Sequence, residues 1–189
     1  EIIQDDYTAH PRLEISDDGK SVKDTGTIRN VPRNEKRFDS HIFVLAKEGY
    51  TSGRHYWQVD PISEAQTAFG VVPEELYLVE GPHAGTGEHC KEEGRAEVTC
   101  FGLTTTPICQ RSWTCLRVSG KLQKIGIFLD ISAKKMTFYN IHKKATLYTF
   151  TISDGGSQEG KLFPFFSTGP AVAKPDTEPL KIVQGFDDE

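Results

Sequence analysis

Short strand-forming runs separated by turn residues are the feature that most limits what this chain can fold into. No window of about 11 to 18 residues carries the apolar repeat of an amphipathic helix. Runs rich in Val, Ile, Thr and aromatic residues recur instead, each bounded by Gly, Pro, Asp or Asn. The pattern predicts an all-β fold in which consecutive strands pair antiparallel. One domain is expected from 189 residues, since all-β domains of about 200 residues routinely form a single unit.

The predicted strands are spread along the whole chain. They cover residues 13–16, 21–23, 43–46, 54–60, 67–72, 96–101, 113–118, 124–130, 134–140, 145–151, 162–166 and 180–183. Side chains alternate between the two faces of a strand, so Trp57 and Val59 are predicted on the core face and Tyr56 and Gln58 on the other. Asp130 ends an apolar strand, and its carboxylate is predicted to accept hydrogen bonds from N–H groups of the following turn.

The segment from Pro73 to Gly94 differs in character from the strands around it. It combines Glu, Gly and Pro, which predicts a long surface loop. Loops of this length inside a compact domain are uncommon and usually functional. Exposed aromatic, Arg and other polar side chains on loops suit the recognition of another protein. The candidate partner-binding residues in and near this loop are Tyr77, His83, His89, Arg95 and Arg111.

Charge and hydropathy exclude several classes of partner. A net charge of −5 and a pI near 5.7 provide no broad positive field, so neither nucleic acid nor a membrane surface is expected as a partner. The longest apolar runs, such as Ile125–Leu129, are too short to span a bilayer. Gln184–Glu189 is predicted to be a flexible acidic tail.

No catalytic or metal-binding motif is found in the sequence. Ser52 and His55 stand on either side of a turn that shapes the entrance of a strand, which does not indicate a nucleophile and its base. His83, His89 and Cys90 lack a second close pair of ligands that would complete a zinc site. We therefore expect no catalytic residue, no metal and no cofactor. The four cysteines are expected to be free thiols, because nothing in the sequence indicates a secreted protein.

Several blocks, taken in order, resemble the PRY-SPRY family of domains. The resemblance covers nearly the whole chain, and each block matches one landmark of the family. They are Thr8–Pro11 with Leu13–Val22 for the opening PRY segment, Arg37–Ser40 with Glu48–Val59 for the region of the Trp-Glu-Val motif, Lys124–Asp130 with Phe138–Asn140 and Leu147–Phe150 for the Leu-Asp-Tyr-Glu region, and Leu162–Gly169 for the closing strand.

The resemblance implies a two-sheet antiparallel β-sandwich of the concanavalin-like jelly-roll type. It implies a single domain over residues 1–183, with a PRY segment at about 1–45 and a SPRY segment at about 46–183. Such domains bind protein partners through variable loops in tripartite-motif ubiquitin ligases, butyrophilins and pyrin. The implied role is a cytoplasmic, non-catalytic recognition domain of an innate-immune protein, whose parent has its ligase activity and any oligomerisation in other regions. Two alternatives stay open, namely a butyrophilin-type domain that senses a small ligand and a lectin-like sandwich that binds carbohydrate.

An antibody-binding relative implies a second set of candidate residues. Its pocket positions fall on Glu74, Leu116, Val118 and Pro170. The two middle positions depend on whether residues 112–116 or residues 96–107 correspond to the family's Tyr-Trp strand, and both alternatives are open. In the butyrophilin-type pocket, His41 matches one position, whereas Ala68 stands in place of a second histidine. Departures from the family are largest between Pro73 and Val118, where we expect the specificity to lie.

Overall fold

Strands are the regular structure in every part of the chain that the structure describes. The structure is a computed structural model, and it describes residues 1–39, 42–60, 67–73, 97–101, 114–117, 124–151, 161–168 and 179–183. The strands are β1 (Leu13–Ile15), β2 (Ser21–Asp24), β3 (Phe43–Leu45), β4 (Arg54–Asp60), β5 (Thr67–Pro73), β6 (Glu97–Phe101), β7 (Thr114–Arg117), β8 (Ile125–Asp130), β9 (Lys135–Asn140), β10 (Ala145–Thr151), β11 (Leu162–Ser167) and β12 (Leu180–Val183). The prediction of an all-β fold is confirmed.

The strands form two sheets that pack face to face. The seven-stranded sheet has the order β1-β2-β12-β4-β8-β9-β10, and the five-stranded sheet has the order β3-β11-β5-β6-β7. Side chains from both sheets fill one core, in which the ring of Phe69 lies 5.9 Å from that of Phe138. Trp57 and Val59 are fully buried, as the alternation in β4 predicted. The predicted two-sheet sandwich is confirmed.

The structure departs from all-antiparallel pairing at one pair of described strands. β5 and β6 run parallel, with Thr67 opposite Val98 and Gly70 opposite Phe101. Residues 74–96 separate these strands, and a parallel pair needs such a long connection because the chain must return to the same end of the sheet. β6 then pairs antiparallel with β7, so both segments that compete for the family's Tyr-Trp strand are strands of the same sheet.

The last strand lies near the middle of the seven-stranded sheet. β12 pairs antiparallel with both β2 and β4, and Ile182 lies opposite Val59. Burial accounts for this position, because Leu180 and Ile182 are 0% and 3% exposed while Lys181 between them is exposed. The N-terminal hairpin β1-β2 is thereby attached to the rest of the sheet through the C-terminal strand.

β8, β9 and β10 form the antiparallel meander that the sequence predicted. The turn between β8 and β9 begins at Asp130, whose Oδ1 accepts a hydrogen bond of 3.0 Å from the backbone N–H of Ala133. This confirms the predicted role of the Asp130 carboxylate. Lys134 and Lys144 adopt left-handed backbone conformations in the two turns, with φ of 54° and 51°.

Candidate partner-binding surface

Two loops of the N-terminal segment lie side by side, and we call residues 5–12 and 25–37 together the N-terminal surface. Backbone hydrogen bonds join them, from Thr25 N–H to the carbonyl of Arg12 at 2.8 Å and from Arg29 N–H to the carbonyl of Pro11 at 3.0 Å. The second loop contains Gly26, Asn30, Pro32 and Asn34 and does not alternate, so it forms no strand of its own. Its backbone polar groups bond partly to the first loop, through Thr25 and Arg29, and partly within the loop, as the Val31 N–H does to the Arg29 carbonyl at 3.1 Å.

Arg37 holds the two loops together from within. It is 8% exposed. Its Nη1 donates hydrogen bonds to the carbonyls of Asp6 at 2.8 Å and Ala9 at 2.7 Å. Its Nε donates to the carbonyl of Pro32 at 3.1 Å. A buried guanidinium is costly unless its donors are satisfied, and charge-assisted bonds of this kind are stronger than neutral ones.

An ion pair fixes the start of the second loop. Arg12 Nε lies 2.9 Å from Asp24 Oδ1, and the Asp24 side chain is 3% exposed. The same oxygen accepts a hydrogen bond of 2.8 Å from the backbone N–H of Gly26, which has a φ of 76°. The Asp24 carboxylate thus orients both the Arg12 side chain of the first loop and the turn at Gly26 in the second.

His10 is a third buried polar group beneath this surface. Its Nδ1 accepts a hydrogen bond of 3.1 Å from the backbone N–H of Arg12, which assigns the proton to Nε2. Nε2 then donates to the carbonyl of Asp39 at 3.2 Å. Burial lowers the pKa of the His10 imidazole, and the hydrogen bond to the Asp39 backbone opposes this shift without cancelling it. The neutral ring is therefore the form that the fold favours.

Two large apolar side chains project from this fixed backbone. Tyr7 is 53% exposed and Ile28 is 74% exposed. They flank a single ion pair, because Tyr7 follows Asp6 and Ile28 precedes Arg29, and Arg29 Nη2 lies 3.4 Å from Asp6 Oδ1. Asn34 Nδ2 donates to the Tyr7 carbonyl at 3.1 Å and steadies the turn that carries the ring. An exposed aromatic, an aliphatic and an Arg on a pre-ordered backbone are suited to binding a protein, since little conformational freedom is lost on contact.

Two family models match the chain, the SPRY-associated domain PRY over residues 2–50 and the SPRY domain over residues 54–175. The chain belongs to the PRY-SPRY family. The domain is 33% identical over 180 residues to butyrophilin subfamily 1 member A1 of Mus musculus, covering 94% of this chain and 32% of that protein. It is 32% identical over 181 residues to the E3 ubiquitin-protein ligase TRIM58 of Mus musculus, covering 92% of this chain and 35% of that protein. The chain thus spans about a third of the length of these relatives.

Solved structures share the fold of this PRY-SPRY domain. The PSpry domain of TRIM65 superposes with a TM-score of 0.66 at 21% identity, covering 97% of this chain and 90% of that one. Stonustoxin superposes with a TM-score of 0.65 at 20% identity, covering 97% of this chain and 28% of that one. At these identities the likeness shows the fold alone, which agrees with the sandwich described above.

Leu116 is the predicted binding residue whose backbone the structure places. It lies in β7 opposite Val98 of β6, in the five-stranded sheet. The other predicted binding residues lie outside the described residues: Glu74, Tyr77, His83, His89, Arg95, Arg111, Val118 and Pro170. They remain predictions, as does the recognition role of the Pro73–Gly94 loop.

Tyr7, Ile28 and Arg29 are binding candidates that the sequence reasoning missed. The signal that could have found them is the one applied to the long loop, namely aromatic and Arg side chains on a segment that forms no strand. The N-terminal segment matches the family well, whereas the prediction placed specificity between Pro73 and Val118, where the match is poorest.

The described residues contain no group of three or more His, Cys, Asp or Glu side chains arranged to hold a metal ion. Within the same part of the chain, no helix is long and apolar enough to cross a membrane.

Proposed function

We propose that this PRY-SPRY domain selects a protein partner on behalf of a larger cytoplasmic protein, a tripartite-motif ubiquitin ligase or a butyrophilin-like protein of innate immunity. The proposal is supported by the family and by the relatives, one of which is named as an E3 ubiquitin-protein ligase. In this proposal the domain provides recognition, and any ligase activity belongs to other regions of the parent protein.

One observation on the described residues carries the proposal. Tyr7 and Ile28 are exposed by 53% and 74% while the backbone beneath them is held by Arg37. Scattered surface hydrophobics are ordinary, but Tyr7 and Ile28 are chain neighbours of Asp6 and Arg29, whose ion pair brings the two loops together, and we call these four residues the patch. We propose this patch as a contact point for the partner, together with the variable loops.

The test is quantitative affinity capture from cell lysate, with the double variant Tyr7→Ser/Ile28→Ser set against the conservative variant Tyr7→Phe/Ile28→Val. The first removes apolar area from the patch and the second retains it, so partners that depend on the patch should fall by about tenfold with the first alone. Circular dichroism verifies that both variants are folded.

A third variant replaces Pro73–Gly94 by a short Gly/Ser linker and tests the sequence-based prediction independently. A reduced partner profile with this variant supports recognition through the loop. If the wild-type domain and all three variants capture the same proteins in the same amounts, neither surface selects a partner and the proposal is wrong.

Small-ligand sensing and carbohydrate binding are the rival functions. A butyrophilin-type anion pocket is disfavoured because Ala68, in β5, stands where the pattern would have a histidine. Calorimetric titration with inorganic pyrophosphate tests that function, and a glycan array tests the lectin-like one. Saturable binding in either assay that survives Tyr7→Ser/Ile28→Ser would favour the rival over partner selection by the patch.

A further inference from the structure

β10 lies at the end of the seven-stranded sheet. It pairs with β9 from Ala145 opposite Asn140 to Thr151 opposite Lys135, and β9 is its one neighbour among the described strands. An end strand directs alternate N–H and C=O groups away from its sheet, where they can pair with another strand. Seven residues of strand extend over about 24 Å, which is long enough to receive an extended peptide.

The sequence of β10 suits such pairing. It reads Ala-Thr-Leu-Tyr-Thr-Phe-Thr, without charge or proline, and it is rich in the β-branched and aromatic residues that favour strands. A register irregularity lies between Thr146 and Tyr148, and the pairing is regular from Tyr148 to Thr151. The regular half of the strand is therefore the better template for an added strand.

Positive charge is present at both ends of this edge. Lys143 and Lys144 immediately precede Ala145, and Lys135 lies opposite Thr151 on the neighbouring strand. All three lysines are exposed, although the chain as a whole carries a net charge of −5. A strand added to β10 would thus have a basic group near each of its ends.

These charges argue against a second copy as the occupant. Two β10 strands paired antiparallel about a two-fold axis would bring Lys143 and Lys144 of each copy towards Lys135 of the other. Such like-charge juxtaposition opposes self-association, and lysine is commonly found on edge strands for this reason. A partner segment with acidic residues would have the opposite effect.

We propose that β10 binds an extended segment of a partner protein as an additional strand. The segment has a short core of small and β-branched residues flanked on both sides by acidic residues. Backbone hydrogen bonds to β10 provide the affinity, and the lysines at the two ends provide the preference for acidic flanks. The inference adds a peptide site to the proposed recognition function, at a place that is separate in sequence from the N-terminal surface.

The probe is a fluorescein-labelled peptide, Glu-Glu-Val-Thr-Val-Thr-Val-Glu-Glu, followed by fluorescence anisotropy. We expect saturable binding to the wild-type domain and slower amide hydrogen exchange in Ala145–Thr151 when the peptide is present. The variant Lys135→Glu/Lys143→Glu should weaken binding by about five- to tenfold and should strengthen binding of the same core flanked by lysines. The matched variant Lys23→Glu/Lys181→Glu changes two exposed lysines on β2 and β12 of the same sheet, and it should bind as the wild type does.

A peptide with the same side chains but N-methylated throughout its core separates strand addition from simple charge attraction. It retains every charge and lacks the backbone donors, so we expect no measurable binding. Equal affinity for the two peptides would overturn the proposal, and so would protection from exchange outside β10. A wild-type dimer in analytical ultracentrifugation, with β10 protected in the absence of peptide, would assign the edge to self-association instead.

The variant Tyr7→Ser/Ile28→Ser distinguishes this inference from the function on which it rests. It should bind the acidic peptide as tightly as the wild-type domain, since β10 is unchanged. Loss of lysate partners without loss of peptide binding would support both surfaces independently. Loss of peptide binding in this variant would mean that the peptide lies on the N-terminal surface, which contradicts the assignment to β10.

Discussion

The N-terminal surface and the β8–β10 meander both face solvent, but different interactions hold them. The N-terminal surface depends on side chains that bond backbone groups, among them the guanidinium of Arg37 and the carboxylate of Asp24. The meander depends on a continuous backbone ladder and on apolar side chains such as Met136 and Phe138, which are 0% exposed. An irregular loop thus needs buried polar groups to become rigid, whereas paired strands satisfy their own backbone.

The largest effect is predicted for the buried apolar side chains of the meander. Phe138→Ala removes a fully buried ring that packs against Phe69 of the opposite sheet, and it leaves a cavity between the sheets. We expect the free energy of unfolding to fall by about 4 kcal/mol in urea denaturation. Phe138→Leu, which fills more of the cavity, should cost much less. Equal losses for the two variants would show that packing between the sheets is not what holds the meander.

The next largest effect is predicted for the buried polar groups that hold the N-terminal surface. Arg37→Met keeps much of the buried volume but removes the guanidinium donor from the carbonyls of Asp6, Ala9 and Pro32. Among the described residues, only the Asp6 carbonyl keeps a second hydrogen bond, from the Ala9 N–H at 3.3 Å. The substitution should lower the free energy of unfolding by about 3 kcal/mol. Amide hydrogen exchange should become faster in residues 5–12. Arg33→Met changes an exposed arginine of the same loop, and we expect less than about 0.5 kcal/mol from it. If Arg37→Met leaves the free energy of unfolding and the amide exchange unchanged, the N-terminal surface is not held rigid by Arg37.

The third effect is predicted for β8 of the meander, on its outer face. A Cβ added at the buried Gly126 of β8 would lie 2.6 Å from Tyr56 Oη and 2.7 Å from Ile141 Cδ1. Gly126→Ala should therefore cost about 1 kcal/mol, since both overlapping atoms are the ends of side chains that can shift, and the cost is measured by the change of the urea midpoint. Combining it with Ile141→Ala removes one of the two overlaps and should recover part of the loss. If the two substitutions are simply additive, steric overlap is not the cause.

The smallest effect is a pH dependence of stability that arises from His10 beneath the N-terminal surface. Burial lowers the pKa of His10 in the fold, so below a pH of about 6.5 the unfolded chain binds a proton more readily than the native one. The contribution of the neutral His10 ring to the free energy of unfolding is complete above that pH. It is lost as the pH falls towards the lower pKa of His10 in the native state. Arg12, Asp24 and Asp39 surround the ring, and of these Arg12 favours the neutral form while the two carboxylates oppose it.

The measurement is the free energy of unfolding between pH 7.5 and pH 5, taken as the difference between the wild-type domain and His10→Gln. Because the variant cannot titrate at this position, the difference isolates His10 from the other histidines and from the carboxylates. We expect the advantage of the wild-type domain to shrink on acidification. A difference that is constant with pH would show that the pKa of His10 is the same in the fold as in the unfolded chain, and an advantage that grows on acidification would show that the fold favours the charged ring.

Much of the fold could be predicted from local pattern. The alternation in β4 placed Trp57 and Val59 in the core, and the position of Asp130 at the end of a strand indicated its role in the turn. Two features could not be predicted this way. The central place of β12 and the parallel pairing of β5 with β6 depend on which strands meet across long stretches of sequence.

The two candidate surfaces likewise depend on contacts between segments that are distant in sequence. In the sequence, Tyr7 and Ile28 look like ordinary loop residues. The structure shows that Arg37, about 30 positions away from Tyr7, holds the loop beneath them. Lys143 and Lys144 look like solvated turn residues, and Lys135 like the exposed start of a strand, until the sheet order shows that β10 is an end strand.

Fold class and strand positions follow from the sequence alone, because strand period and turn chemistry act over a few residues. The ordered motif blocks indicate the PRY-SPRY family by resemblance. The tertiary structure is needed to see which apolar and charged side chains share a surface. Burial, edge position and pre-ordering are properties of distant segments brought together, and no local pattern contains them.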